Sequence, residues 1–200
     1  MPTADRYSES LVAFATASRR ASTLARYAVG APASDEQVLY HASVAAHVAG
    51  WESYLESVVD EFLSKTRRPL DPLFALVHDA LSKFAEDATR RFHTPNFQNS
   101  RDFILRTTSF DPYGTWVWDS EGFNVLQMQA FLNEILQVRH AFAHGLDIPR
   151  YPWTKLPSGG VGLGPIAVKR VGRATRHLAF TTDVHLRRHA QTACGGSWHW

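Results

Sequence analysis

The sequence predicts a mainly α protein, a helical bundle, and three observations carry that prediction. Apolar residues recur at three- and four-residue spacing through the first 145 of 200 residues. Start and stop signals for helices punctuate those stripes. The composition, 44% hydrophobic and 20% charged, is that of a chain able to bury one sizeable core rather than of a disordered one.

The first stripe runs over residues 5–29 through Leu11, Phe14, Ala17, Ala21, Leu24 and Ala28, and Gly30 with Pro32 ends it. Ser34-Asp35-Glu36-Gln37 reads as a capping box that opens a second, long helix. Its stripe passes through Val48, Trp51, Leu55, Val58, Val59 and Phe62 and stops at Arg68-Pro69, with Gly50 a candidate kink. Asp71-Pro72 signals a third start, followed by Leu73, Leu76, Val77, Ala80, Leu81, Phe84, Ala88 and Phe92 as one expected face. A shorter helix is expected over 100–108, and then an aromatic segment from Phe110 to Trp118. That segment reads as a lid over the bundle in preference to a platform for stacking bases. The last long helix starts at Asn124, with Gln127 placed to complete a capping pair, and stops at Gly145.

Beyond that point the texture changes. Residues 1–148 read as the bundle and 149–200 as a basic, Gly/Arg/His-rich C-terminal extension. Ile166–Val171 and His177–Thr182 predict a short β-hairpin, with a terminal helix over 183–193. Residues 150–200 hold eight Lys and Arg against Asp183 alone, while residues 1–100 hold ten against twelve acids. So strong a concentration of positive charge either attracts a polyanion or serves as a solvated tail. Gly159–Gly164 lacks the lysine and the strand–helix context of a phosphate-binding loop. No apolar run reaches membrane-spanning length, and no secretory signal is visible at the N-terminus. Cys194 is the only cysteine, so no internal disulfide is expected and a cytoplasmic location fits.

The candidate chemistry sits at the end of the last long helix, Val138-Arg139-His140-Ala141-Phe142-Ala143-His144-Gly145. On a wheel of 100° per residue, Arg139 falls in the middle of the apolar arc formed by Met128, Leu132, Ile135, Leu136 and Phe142. An arginine there calls for a carboxylate partner, an anionic ligand or an interface; Glu52, Glu56 and Asp60 are the candidate partners. Arg139 and His144 point roughly 140° apart, so they converge only if the last turn unwinds or a second copy of the chain faces the first. A guanidinium suits phosphate, and imidazole moves protons near neutral pH, so the pair suits phosphodiester cleavage. His140 and His144, four residues apart, are also spaced as a metal pair, but no third ligand is evident and no cofactor is expected. The bland alternative is a satisfied arginine with two histidines that complement the helix dipole.

An all-helical chain whose last core helix ends in Arg139-His140-x-x-x-His144 resembles the HEPN superfamily. Trp51-Glu52-x-Tyr54-Leu55-Glu56 on the long second helix and the aromatic-rich middle make it similar to the RiboL-PSP-HEPN group, over residues 5–148. The resemblance implies a metal-independent endoribonuclease of toxin or defence type, acting on RNA as a homodimer and held in check by an antitoxin or regulatory protein. It implies that Arg139 and His144 are catalytic and that His140 supports them, where asparagine or aspartate is commoner. The competing expectation is a non-catalytic helical module that binds a partner or RNA.

Overall fold

A computed structural model describes residues 7–67 and 72–194 of the chain. These residues form six α-helices: α1 (Glu9–Ala28), α2 (Ala33–Thr66), α3 (Pro72–Arg90), α4 (Phe97–Thr108), α5 (Val125–Ala143) and α6 (Pro165–Cys194). Among the described residues there is no sheet, only isolated bridges between Trp118 and Phe123 and between Lys155 and Val161. The molecule is therefore mainly α, a helical bundle, as its sequence predicts. None of its helices is long and apolar enough to cross a membrane, among the described residues.

Helix α2 is the centre, in contact with each of the other five. Its buried stripe, Val44, Val48, Trp51, Leu55, Val58 and Phe62, follows the i, i+3, i+4 rule on which the expectation rested. Gly50 does not break it: the helix runs through without interruption, and Gly50 lies under α1, in reach of Phe14 and Ala17. The start of α2 differs from the expected capping box. The helix begins at Ala33 with Pro32 at the cap and no side-chain cap. Gln37 is used elsewhere, because its amide donates to the Leu163 carbonyl (2.8 Å) and accepts from the Leu163 N–H (2.9 Å). A buried peptide group far along the chain outcompetes an exposed helix end for that side chain.

The expected hairpin is replaced by the first half of α6, one continuous helix of 30 residues. Val168, Val171, Ala174, Leu178, Thr182, Leu186 and Ala190 are all buried and recur at helical spacing. That stripe packs α6 against α1 and α2 and joins it to the common core. Ser8 locks the arrangement. Its hydroxyl caps α1 by accepting from the Leu11 N–H (2.9 Å), and it donates to buried Asp183 on α6.

Helix α3 is rotated from the expected face. His78 and Ala85 are buried, with the His78 ring bonded to the Leu63 carbonyl at 2.8 Å, whereas Leu76, Val77 and Phe84 are exposed. The expected N-cap Asp71 and the stop Arg68-Pro69 lie outside the described residues. The aromatic segment is a lid in the sense expected. Trp116 is fully buried edge-on against Trp51 and Phe97, and its indole N–H donates to Thr182 Oγ1 at 2.9 Å.

Candidate functional site

Helix α5 carries the candidate residues, and both of its ends are tightly specified. Asn124 and Gln127 form the expected capping box, each side chain accepting from the other's backbone N–H at 2.9 Å. At the far end the Leu146 N–H returns to the Ala141 carbonyl (2.8 Å) and the Gly145 N–H to the Phe142 carbonyl (3.2 Å). This is a Schellman closure, with Gly145 in the left-handed region at φ 64°. The closure encloses His144, the C-cap residue, whose N–H still bonds the His140 carbonyl at 3.1 Å, so the last turn does not unwind. Arg139 and His144 keep the angular separation of a regular helix.

Arg139 is partly buried and lines a groove of about 580 Å³ between α5 and the segment that leads into α4. His140 lines the same groove, with Thr94, Asn96, Asn133, Gln137 and Asp147. His144 is exposed and is not among the lining residues; its ring packs against that of His140, centroids 4.3 Å apart. The structure thus brings Arg139 to His140 and His140 to His144, but does not join the two ends in one chain. None of Glu52, Glu56 and Asp60 pairs with Arg139, which makes no ion pair among the described residues. Those acids crowd one another instead: burial first, then Glu52 and Asp60, holds the Glu56 carboxyl above its ordinary range. Of the three partners a buried-face arginine calls for, a ligand and an interface remain.

Around this helix end the apolar surface is incomplete. Phe142, assigned to the core arc by the wheel, is 39% exposed and stacks face to face on His41 of α2, centroids 4.4 Å apart. Leu146 is also exposed. His41 itself is buried with Nδ1 unpartnered, and burial lowers its pKa. Sequence reasoning missed Asn133 and Gln137 as groove residues. Asn133, Gln137 and His140 stand at i, i+4 and i+7, one polar stripe on a core helix, and that spacing was the available signal. Asn133 Oδ1 accepts from the Phe97 N–H at 3.3 Å, which ties the start of α4 to α5 beside the groove.

The basic segment is less free than its charge suggests. Arg173 and Arg170 pair with Glu121 at 2.7 and 3.6 Å, and Arg170 lies over the Phe123 ring. Arg187 pairs with Asp183 at 3.0 Å, and Arg176 reaches Ser18 Oγ at 3.4 Å. Half of its eight cations are therefore engaged: three hold α6 to its neighbours and Arg187 pairs within α6. Among the described residues no three His, Cys, Asp or Glu side chains gather where a metal ion could be held.

No known family model, curated protein or solved structure matches this chain. The functional reading therefore stands on the residues and their placement.

Proposed function

We propose that this chain is a metal-independent endoribonuclease of toxin or defence type that works as a homodimer, as the HEPN-like motif implies. The observation that carries the reading is Arg139, partly buried, in no ion pair among the described residues, and open to a groove it shares with His140. An unpaired guanidinium at that depth is suited to the phosphate of a bound strand. A second copy related by two-fold symmetry supplies the imidazole that one chain holds on the wrong side of its helix. Exposed Phe142 and Leu146, either side of His144, offer such a contact apolar surface.

In this scheme Arg139 holds the non-bridging oxygens of the scissile phosphate. His144 of a second copy takes the 2′-hydroxyl proton as that oxygen attacks phosphorus. The bond from phosphorus to the 5′ oxygen breaks, the departing oxygen takes a proton from solvent, and a 2′,3′-cyclic phosphate remains. His140 packs against His144 of its own chain and steadies its ring.

The test is cleavage of an end-labelled RNA by wild type and His144→Ala, each with and without EDTA. We expect EDTA-resistant cutting that leaves cyclic phosphate and falls at least about 100-fold in the variant, the scale of a lost general base. Normal cleavage by folded His144→Ala sinks the assignment. No cutting by dimeric wild type favours the alternative, a non-catalytic partner-binding module, which exposed Leu76 and Val77 on α3 support.

A further inference from the structure

Two clefts meet at Thr94. One is the groove of Arg139 and His140; the other, about 570 Å³, opens between the end of α3 and α4, and Thr94 lines both. The second cleft carries two exposed arginines, Arg91 and Arg106, neither of them in an ion pair among the described residues. Of its two carboxylates Asp87 pairs with Arg90, while Asp102 accepts from the neutral Gln98 amide at 2.8 Å and leaves one negative charge against the two arginines. His93 also lines it. Phe84, an aromatic ring 47% exposed, lines the same cleft as the two arginines, together with Ala88, Phe92 and Phe103.

We infer that this α3–α4 cleft binds the single-stranded RNA that flanks the phosphate at Arg139, with Arg91 and Arg106 on backbone phosphates and Phe84 stacked on a base. The inference rests on the ribonuclease reading above. Guanidinium groups that no ion pair occupies are suited to phosphodiesters. An exposed ring among cations is what unpaired bases need, since every base has a π-face, whereas a duplex keeps its bases stacked on each other. The continuity at Thr94 puts this surface beside the cutting site. By contrast four of the six Lys and Arg on α6 are tied within the protein.

The experiment uses the full chain with His144→Ala, which binds without cutting, and a fluorescein-labelled mixed-sequence RNA of about 12 nucleotides. Affinity is followed by anisotropy between about 50 and about 200 mM KCl. Replacing Arg91 and Arg106 together by alanine is expected to flatten the slope of log K on log [KCl] by about 1.4, two phosphate contacts at about 0.7 each. Phe84→Ala is expected to weaken binding about tenfold with the slope unchanged, which separates stacking from charge. The pair Lys169→Ala/Arg188→Ala, exposed on α6, is expected to leave the slope alone. An unchanged slope in the Arg91/Arg106 variant overturns the inference, as does an equal loss in the α6 pair. So does binding of polyglutamate with no binding of RNA, which marks the cleft as a protein site. If wild type cuts RNA while the cleft variants bind normally, the cleft assignment falls and the ribonuclease stands. If the slopes change as expected but wild type never cuts, the cleft stands and the ribonuclease reading falls.

Discussion

Among single residues, His47 carries the clearest consequence for stability. It sits on α2 against α6, 1% exposed, with Nδ1 unpartnered. A Cβ on Gly172 of α6 would lie 2.7 Å from its Nε2, so only glycine lets the two helices close over the ring. Burial, and then the charge of Arg176, lowers its pKa from 6.5 to about 4. The unfolded chain therefore takes up this proton first as the solution is acidified, and the folded state loses ground from about pH 6.5 down to about pH 4. The loss for this group reaches about 3 kcal/mol at the acid end of that window. Asp183, Glu56 and Asp60 have raised pKa values and pull the other way, since the folded chain binds their protons more readily. The test must therefore be a difference: urea unfolding of wild type and His47→Gln at pH 7 and pH 4.5. The gap between the two proteins should shrink or reverse on acidification, and a gap independent of pH would show that His47 is not held neutral.

Helices, as elements, were legible where local rules and packing agree. Asn124 and Gln127 cap α5 as their spacing predicts, because nothing else competes for those exposed side chains. The same spacing at Ser34 and Gln37 misleads, because Gln37 meets the Leu163 peptide group, fully buried and 126 residues away. The hairpin expected at Ile166–Val171 and His177–Thr182 fails for a related reason. Val168, Val171, Leu178 and Thr182 have strand propensity, but their period of three and four matches the groove between α1 and α2, and packing outweighs propensity. The α3 face was misjudged because Leu76, Val77 and Phe84 look like core residues until His78 is seen to claim the Leu63 carbonyl. These competing claims on Gln37 can be measured. Ser34→Ala should be nearly neutral, since Ser34 bonds only the exposed Asp35 side chain. Gln37→Ala should cost about 2 kcal/mol or more by urea denaturation, because it strands a buried N–H and a buried C=O. Comparable losses of about 1 kcal/mol in both would restore the capping box.

For the whole molecule, the candidate site poses a problem of symmetry. Its motif was legible as residue types and spacing, and so was the 140° between Arg139 and His144. What the sequence withheld was the closure at Gly145, which shows that α5 does not unwind to join them, and the groove that Arg139 and His140 share. Charge counting likewise pointed to residues 150–200, where pairing with Glu121 and Asp183 engages three of the six arginines. If the proposed cleavage needs Arg139 from one copy and His144 from another, neither residue can be tested fully in one chain. Arg139→Ala and His144→Ala homodimers each lack one half of both sites and should be inactive. Mixed at equal concentration with free exchange, about half of the dimers contain one chain of each kind. In such a dimer one site has both residues intact and the other has neither. The mixture should thus recover about one quarter of wild-type cleavage, from one working site in about half of the dimers. A site contained in a single chain recovers nothing under the same mixing. The recovered fraction therefore reports whether the helix end that separates Arg139 from His144 is completed by a second copy of itself.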